Sequence, residues 1–213
     1  MKRWMLAVVL LLASVTQGCF KPRHEDVDVL LSQLAASEDA ECTKEVFGRL
    51  RIIMLDLPSL GPALEARVGD AVASRAIQGG VLDPDAAWVL RRCRWSGKAE
   101  FAKALLARKE IETTYWLGNL VISCADPSYA PLILDRFRAS TTDEERKECV
   151  RMLHHAYLLE QEKGETALLQ LWDSLPVGSA AREEADGAIR RLRSSAAYSA
   201  PIRVTNVGDD AEK

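Results

Sequence analysis

The chain has 213 residues, 48% hydrophobic and 28% charged, with a formal net charge of −3. That length suits one domain, able to bury about 70% of the surface its unfolded chain exposes. Charges of both signs alternate without a basic block, which argues against a nucleic-acid partner, since nucleic acid needs clustered Lys and Arg.

The first elements are those of export. Lys2 and Arg3 give a positive start, Leu6 to Ala13 an apolar run, and Gly18 a small residue before Cys19. A basic end, an apolar stretch and a small-residue cleavage site describe a secretory signal over residues 1–18. The run is shorter than the roughly 20 apolar residues that cross a bilayer. The stretch Val15-Thr16-Gln17-Gly18-Cys19 resembles the lipobox of bacterial lipoproteins. The resemblance implies that Cys19 becomes the first mature residue and carries acyl chains, each buried methylene contributing ~0.8 kcal/mol to anchoring. Ordinary signal cleavage, with Thr16 and Gly18 flanking the cut, is the alternative, and it breaks the same bond. Cysteine parity favours acylation: with Cys19 modified, an even four remain (Cys42, Cys93, Cys124 and Cys149), as suits an oxidising compartment.

Cleavage after Gly18 leaves 195 residues and removes Lys2 and Arg3 but no acidic residue, so the net charge moves from −3 to −5. Residues 19–24 then form the lipidated cysteine and a short tether. Its five residues after Cys19 reach at most ~18 Å, so the domain is expected beside the lipid surface. Lys21 and Arg23 are placed to touch anionic head groups, or are simply solvated. Phe20, not an acidic residue, follows Cys19. By resemblance to enteric lipoproteins this implies the outer membrane, with the domain facing the periplasm.

From residue 25 the pattern is helical. Val27, Leu30, Leu31 and Leu34 form one stripe; Val46, Leu50, Ile53 and Met54 a second; Leu64, Val68, Ala71 and Val72 a third. Asp83-Pro84 and Asp126-Pro127 each set a capping acceptor before a proline at the first helical position. Thr142 with Glu145 reads as a capping box, and Gly79-Gly80, Gly97 and Gly164 mark turns. Leu132, Ile133 and Phe137 mark a short helix, and Ala181, Ala185, Ala188, Ile189 and Leu192 a late one. The expectation is an all-α domain of about ten helices over 25–195. Residues 196–213, rich in Ser, Ala and Asp, read as a disordered tail.

A shift of 31 residues superposes Cys93 on Cys124 and Ala99 on Ala130, and a looser match needs 36. Spacings of this size point to stacked helical pairs. The segment Asp126-Pro127-Ser128-Tyr129-Ala130-Pro131-Leu132-Ile133, followed by a long helix from Thr142 to about Glu160, resembles a HEAT-type repeat across roughly 85–195. That resemblance implies a right-handed α-solenoid-like stack of hairpins. An irregular helical bundle is the alternative.

Candidate site residues follow from that organisation. Under the 31-residue repeat, Cys93 and Cys124 close equivalent helices at the same end of adjacent units. They are therefore the expected disulfide, which requires Cα atoms within ~7 Å. Cys42 and Cys149 have no obvious mate, and no CxxC spacing supports zinc. His154 and His155 point about 100° apart on a helix, so neither a shared metal nor any cofactor is expected. His154 reads as a hydrogen-bonded structural residue. No catalytic residue set can be assembled: a phosphate-cradling loop and HExxH are both missing from the sequence. Trp95, in the polar turn Arg91-Arg92-Cys93-Arg94-Trp95-Ser96-Gly97, is the candidate exposed anchor, stacked with Arg91 or Arg94. The alternative is that it caps the core between two repeats. The expected function is a non-catalytic protein-interaction scaffold in the bacterial cell envelope, its partner an envelope protein. An immunity-type lipoprotein and an envelope hydrolase are the alternatives.

Overall fold

In the computed structural model, local capping and stripe signals become ten α-helices among the described residues, which are 24–57 and 59–199. Cys19, the expected signal peptide, the expected tether before His24 and residues beyond Ser199 lie outside them. The helices are α1 (His24–Ala36), α2 (Ala40–Asp56), α3 (Pro62–Ala73), α4 (Pro84–Arg92), α5 (Lys98–Ala107), α6 (Tyr115–Ile122), α7 (Ala130–Ala139), α8 (Asp143–Ala156), α9 (Gln161–Ser174) and α10 (Ala180–Ser199). A 3-10 turn, Pro127–Tyr129, leads into α7. None of the helices is long and apolar enough to cross a membrane.

The ends form where the side chains can satisfy the backbone. Asp39, Asp83, Thr114 and Asp126 each accept first-turn N–H groups, which have no partner inside their own helix. Thr142 and Glu145 complete the expected capping box on α8. The start of α10 is capped from another helix: Asp143 of α8 accepts the N–H groups of Ala180 at 2.7 Å and Ala181 at 3.3 Å. Gly79 and Gly80, at φ 57° and 81°, close a tight turn between Ile77–Gln78 and Val81–Leu82, the two paired strands. Positive φ at both central residues is what a hairpin turn needs and glycine supplies.

Two boundaries differ from expectation. The helix expected from Thr142 to Glu160 stops at Ala156, and α9 starts afresh at Gln161. α10 continues to Ser199, beyond the expected fading after Arg193. Ala196 and Ala197 are strong helix formers, which accounts for the extension.

Successive helices pack in pairs, with α1 on α2, α3 on α4, α5 on α6, α7 on α8 and α9 on α10. The even-numbered helices also pack in order: α2 on α4, α4 on α6, α6 on α8 and α8 on α10. In the odd-numbered set, α1 meets α3 and α5 meets α7. The apolar stripes face this interior. Val27, Leu30, Phe47, Leu50, Val68, Leu90, Leu120, Ile133, Leu153 and Leu192 are all buried, each adding roughly 1.5–3 kcal/mol.

A buried charge fastens the middle. Arg136 of α7 is only 4% exposed. Its Nε donates to the Leu106 carbonyl, its Nη2 to those of Leu105 and Arg108 at 2.7 and 2.6 Å. Its Nη1 donates to the Ile111 carbonyl at 2.6 Å and to Thr113 Oγ1 at 3.0 Å. Three of these carbonyls end α5, where a cation offsets the helix dipole. Replacing Arg136 with Met leaves the carbonyls buried without donors. We expect a loss on the order of 3–5 kcal/mol, read as a lower urea midpoint at unchanged slope; a loss below about 1 kcal/mol would contradict the assignment.

Candidate functional site

The turn between α4 and α5 gathers most of the residues singled out from the sequence, but in different roles. Trp95 is a packing residue. A Cβ on Gly69 of α3 would lie 2.4 Å from its Cγ, and one on Gly97 2.5 Å from its Cζ2. The indole thus lies flat between two glycines. Its N–H donates to Asp70 at 2.7 Å, and Phe101 packs 5.8 Å away. Trp95 is half-buried against the core, the position that the core-capping alternative gives it. Arg91 is exposed, and its carbonyl accepts from Lys98 Nζ at 2.6 Å. Arg94 is exposed, while its backbone N–H donates to Glu65 at 2.8 Å.

The expected Cys93–Cys124 bridge is corrected. Both are free thiols, as are Cys42 and Cys149. Cys93 caps the end of α4. Burial, with Glu65 adding to it, pushes its thiol up to about 12. The Cys124 thiol is directed to the carbonyls of Leu120 and Val121, with Tyr129 Oη 3.5 Å away. Burial raises it as well. Since only the thiolate attacks, both sulfurs are held in their unreactive form.

Glu65 of α3 is the negative counterpart of Arg136. Burial pushes its carboxyl up, but hydrogen bonds from the backbone of Arg94 and Leu60 and from Ser59 Oγ, at 3.1 Å, outweigh this and hold it below its ordinary value. The carboxylate ties the entry of α3 to the exit of α4. Beside it lies a cavity of about 220 Å³ lined by Met54, Leu57, Ser59, Leu60, Glu65, Arg92 and Arg94.

Sequence reasoning passed over the seams of the even-numbered row. At α2–α4, Arg51 donates to Asp85 at 2.6 Å, and the guanidinium carbons of Arg51 and Arg92 stand 5.9 and 5.8 Å from the Trp88 ring. At α6–α8, Arg151 stands 4.8 Å from the ring of Tyr115. It is held there by Glu148, by Asn119 at 2.8 Å and by the Tyr115 carbonyl. Tyr115 is 55% exposed, and Ile52 and Leu55 of α2 are exposed with it. The odd-numbered helices pack against this row, and Trp88 is half-buried in it. The spacing of Trp88 and Arg92, one turn apart on α4, was the only local signal. Arg51 and Arg151 come from distant segments.

His154 and His155 sit at the α8–α10 seam, with ring centroids 5.2 Å apart. His154 is 5% exposed, and neither ring nitrogen has a partner among the described residues. It is therefore buried as expected but not hydrogen-bonded. Among the described residues no three His, Cys, Asp or Glu gather as metal ligands. The chain matches no protein-family model, no curated protein and no solved structure.

Burial first, then the positive charges of Arg191 and His155, lowers His154 to about 4, against a weak opposing pull from Glu184. Unfolding restores the ordinary value near 6.5. The unfolded chain thus binds a proton that the folded one refuses. Stability is unaffected above about pH 6.5, falls as pH drops toward 4 and levels off below, by on the order of 3 kcal/mol. Urea melts between pH 7.5 and 4 should show the fall, and His154→Phe should flatten it. An equal pH slope in the variant contradicts the assignment.

Proposed function

We propose that the protein is a lipid-anchored scaffold of the bacterial cell envelope that binds a protein partner and catalyses no reaction. Cys19 carries the lipid in this reading. The hairpins form a HEAT-like solenoid, and the uncovered side of α2, α4, α6, α8 and α10 is the binding face.

The observation that carries the reading is that Trp88 lies within cation–π reach of Arg51 and Arg92, and Tyr115 of Arg151, on helices that pack in one row. Trp, Tyr and Arg are the residues that dominate binding energy at protein interfaces. Exposed cation–π pairs contribute only ~0.5–1 kcal/mol each, small beside a domain's 5–15 kcal/mol. The cation–π pairs add little to stability, although the Trp88 ring also packs against the core. Stacked helical pairs present extended surfaces suited to polypeptides.

Two measurements test this. Labelling of growing cells with a clickable fatty acid should mark the protein, and Cys19→Ala should abolish the mark; label persisting in the variant refutes lipidation there. Cross-linking in intact envelopes should join the protein to a defined partner. Trp88→Ala with Tyr115→Ala should lower that yield about tenfold, equivalent to ~1.4 kcal/mol, in a variant that keeps wild-type helical content. The same cross-links at the same yield would refute the face.

A further inference from the structure

We propose that the hairpin α9–α10 is an acid-released element, detaching from α8 as a unit when His154 takes up a proton, while α1 to α8 stay folded. Release takes α10 off the even-numbered row, so acidity sets how much of that row is presented. The inference stands whether or not the row binds a partner.

The surroundings of the ring are the first argument. His154 is buried at the α8–α10 seam, and neither ring nitrogen has a hydrogen-bond partner among the described residues. A buried polar group left unpaired already raises the free energy of the closed state. A charged one raises it far more. The charges acting on the ring are Arg191 and Glu184 of α10 and His155 of α8 itself. No charged group of α6, α7 or α9, which also pack on α8, is among them. Glu184 is the one anion, and its carboxylate already accepts from Arg191 at 2.6 Å. An imidazolium here would face a guanidinium and a second histidine, with its nearest anion already paired. Opening the seam gives both ring nitrogens to water, so the open state binds the proton that the closed one refuses.

The fastenings decide what moves. α9 packs chiefly on α8 and α10, and α10 chiefly on α8 and α9, so the pair can leave without disturbing the earlier helices. α9 buries only Gly164 and Leu168. The buried stripe of α10 is Ala181, Ala185, Ala188, Ile189 and Leu192, and its alanines take little apolar area out of water. Elements with few buried apolar contacts open at the low end of local stability. Within the hairpin the ties are specific. Arg193 donates to Glu165 at 2.8 Å, and the Arg182 guanidinium lies 3.9 Å from the centre of the Trp172 ring. Both cross from α10 to α9 and keep the two helices together. α8 stays behind, because Arg151 holds it to Asn119 of α6 at 2.8 Å.

The test is hydrogen exchange read by mass spectrometry on the full chain in detergent micelles, from pH 7 to pH 3.5, with each rate corrected for the intrinsic pH dependence of exchange. Peptides of α9 and α10 should open roughly 50-fold more often at pH 4.5 than at pH 7, the ratio set by a histidine near 4 when closed and near 6.5 when open. Peptides of α2, α4 and α7 should keep their protection. His154→Phe should remove the response, and His155→Gln should leave most of it. No gain in α9 and α10, an equal gain in every helix, or a response that survives His154→Phe would overturn the proposal. If His154→Phe does not fold, the wild-type profile decides alone. A gain that develops between pH 6.5 and 4 and then levels off supports the release; one that begins only below pH 4 belongs to carboxylates and overturns it.

Discussion

The arrangement of the central hairpins depends on one guanidinium. Arg136 uses all five of its N–H donors, four on backbone carbonyls and one on Thr113. Burying an unpaired cation is costly, and desolvation does lower the guanidinium's proton affinity. What offsets the cost is the end of α5, whose last carbonyls carry partial negative charge and lack helical partners. One side chain of α7 thereby ends α5, shapes residues 108–113 and sets where α6 begins. Glu65 does the opposite-sign work earlier, joining the entry of α3 to the exit of α4. Asp143 carries the same logic to α10. Apolar stripes bring helices together without fixing their offset; these crossing charges supply the offset, because a hydrogen bond is lost with a small slip.

A fixed offset gives the even-numbered row its surface. With α2, α4, α6, α8 and α10 in set positions, Arg51 reaches Trp88 and Arg151 reaches Tyr115 across their seams. The proposed binding face thus follows from the backbone staples beneath it. The buried histidine behaves differently. His154 stands at the α8–α10 seam without partners, a weak point in acid rather than a contact for ligand.

The fold was largely legible, because it is written locally. Asp83, Asp126 and the Thr142–Glu145 pair announced helix starts, and each caps as its sequence context requires. The stripes of α1, α2 and α10 are buried as their spacing demands. The site residues were harder, since their roles are made by contacts across 23 to 36 positions. Trp95 sits in a polar turn and looked exposed, yet Gly69 opens a flat bed for it 26 positions earlier. Trp88 carried no reading from the sequence, and its half-buried ring lies within reach of two arginines from separate helices. Cys93 and Cys124 superpose under the 31-residue shift, but Cys93 is buried and the Cys124 thiol is turned to backbone carbonyls of its own helix. Arg136 gave no signal at all: a basic residue near a helix end is ordinary, and only the fold reveals five acceptors around it.

Native-state hydrogen exchange on the unaltered protein tests the staple most directly. The Ile111 amide bonds the Arg108 carbonyl and the Glu112 amide bonds that of Gly80, inside the segment that Arg136 grips. If the crossing charge sets the arrangement, these two amides exchange only with the global unfolding of the domain, at the pace of the buried helices. Exchange at the rate of an open loop, while α5 and α7 stay protected, would contradict the account.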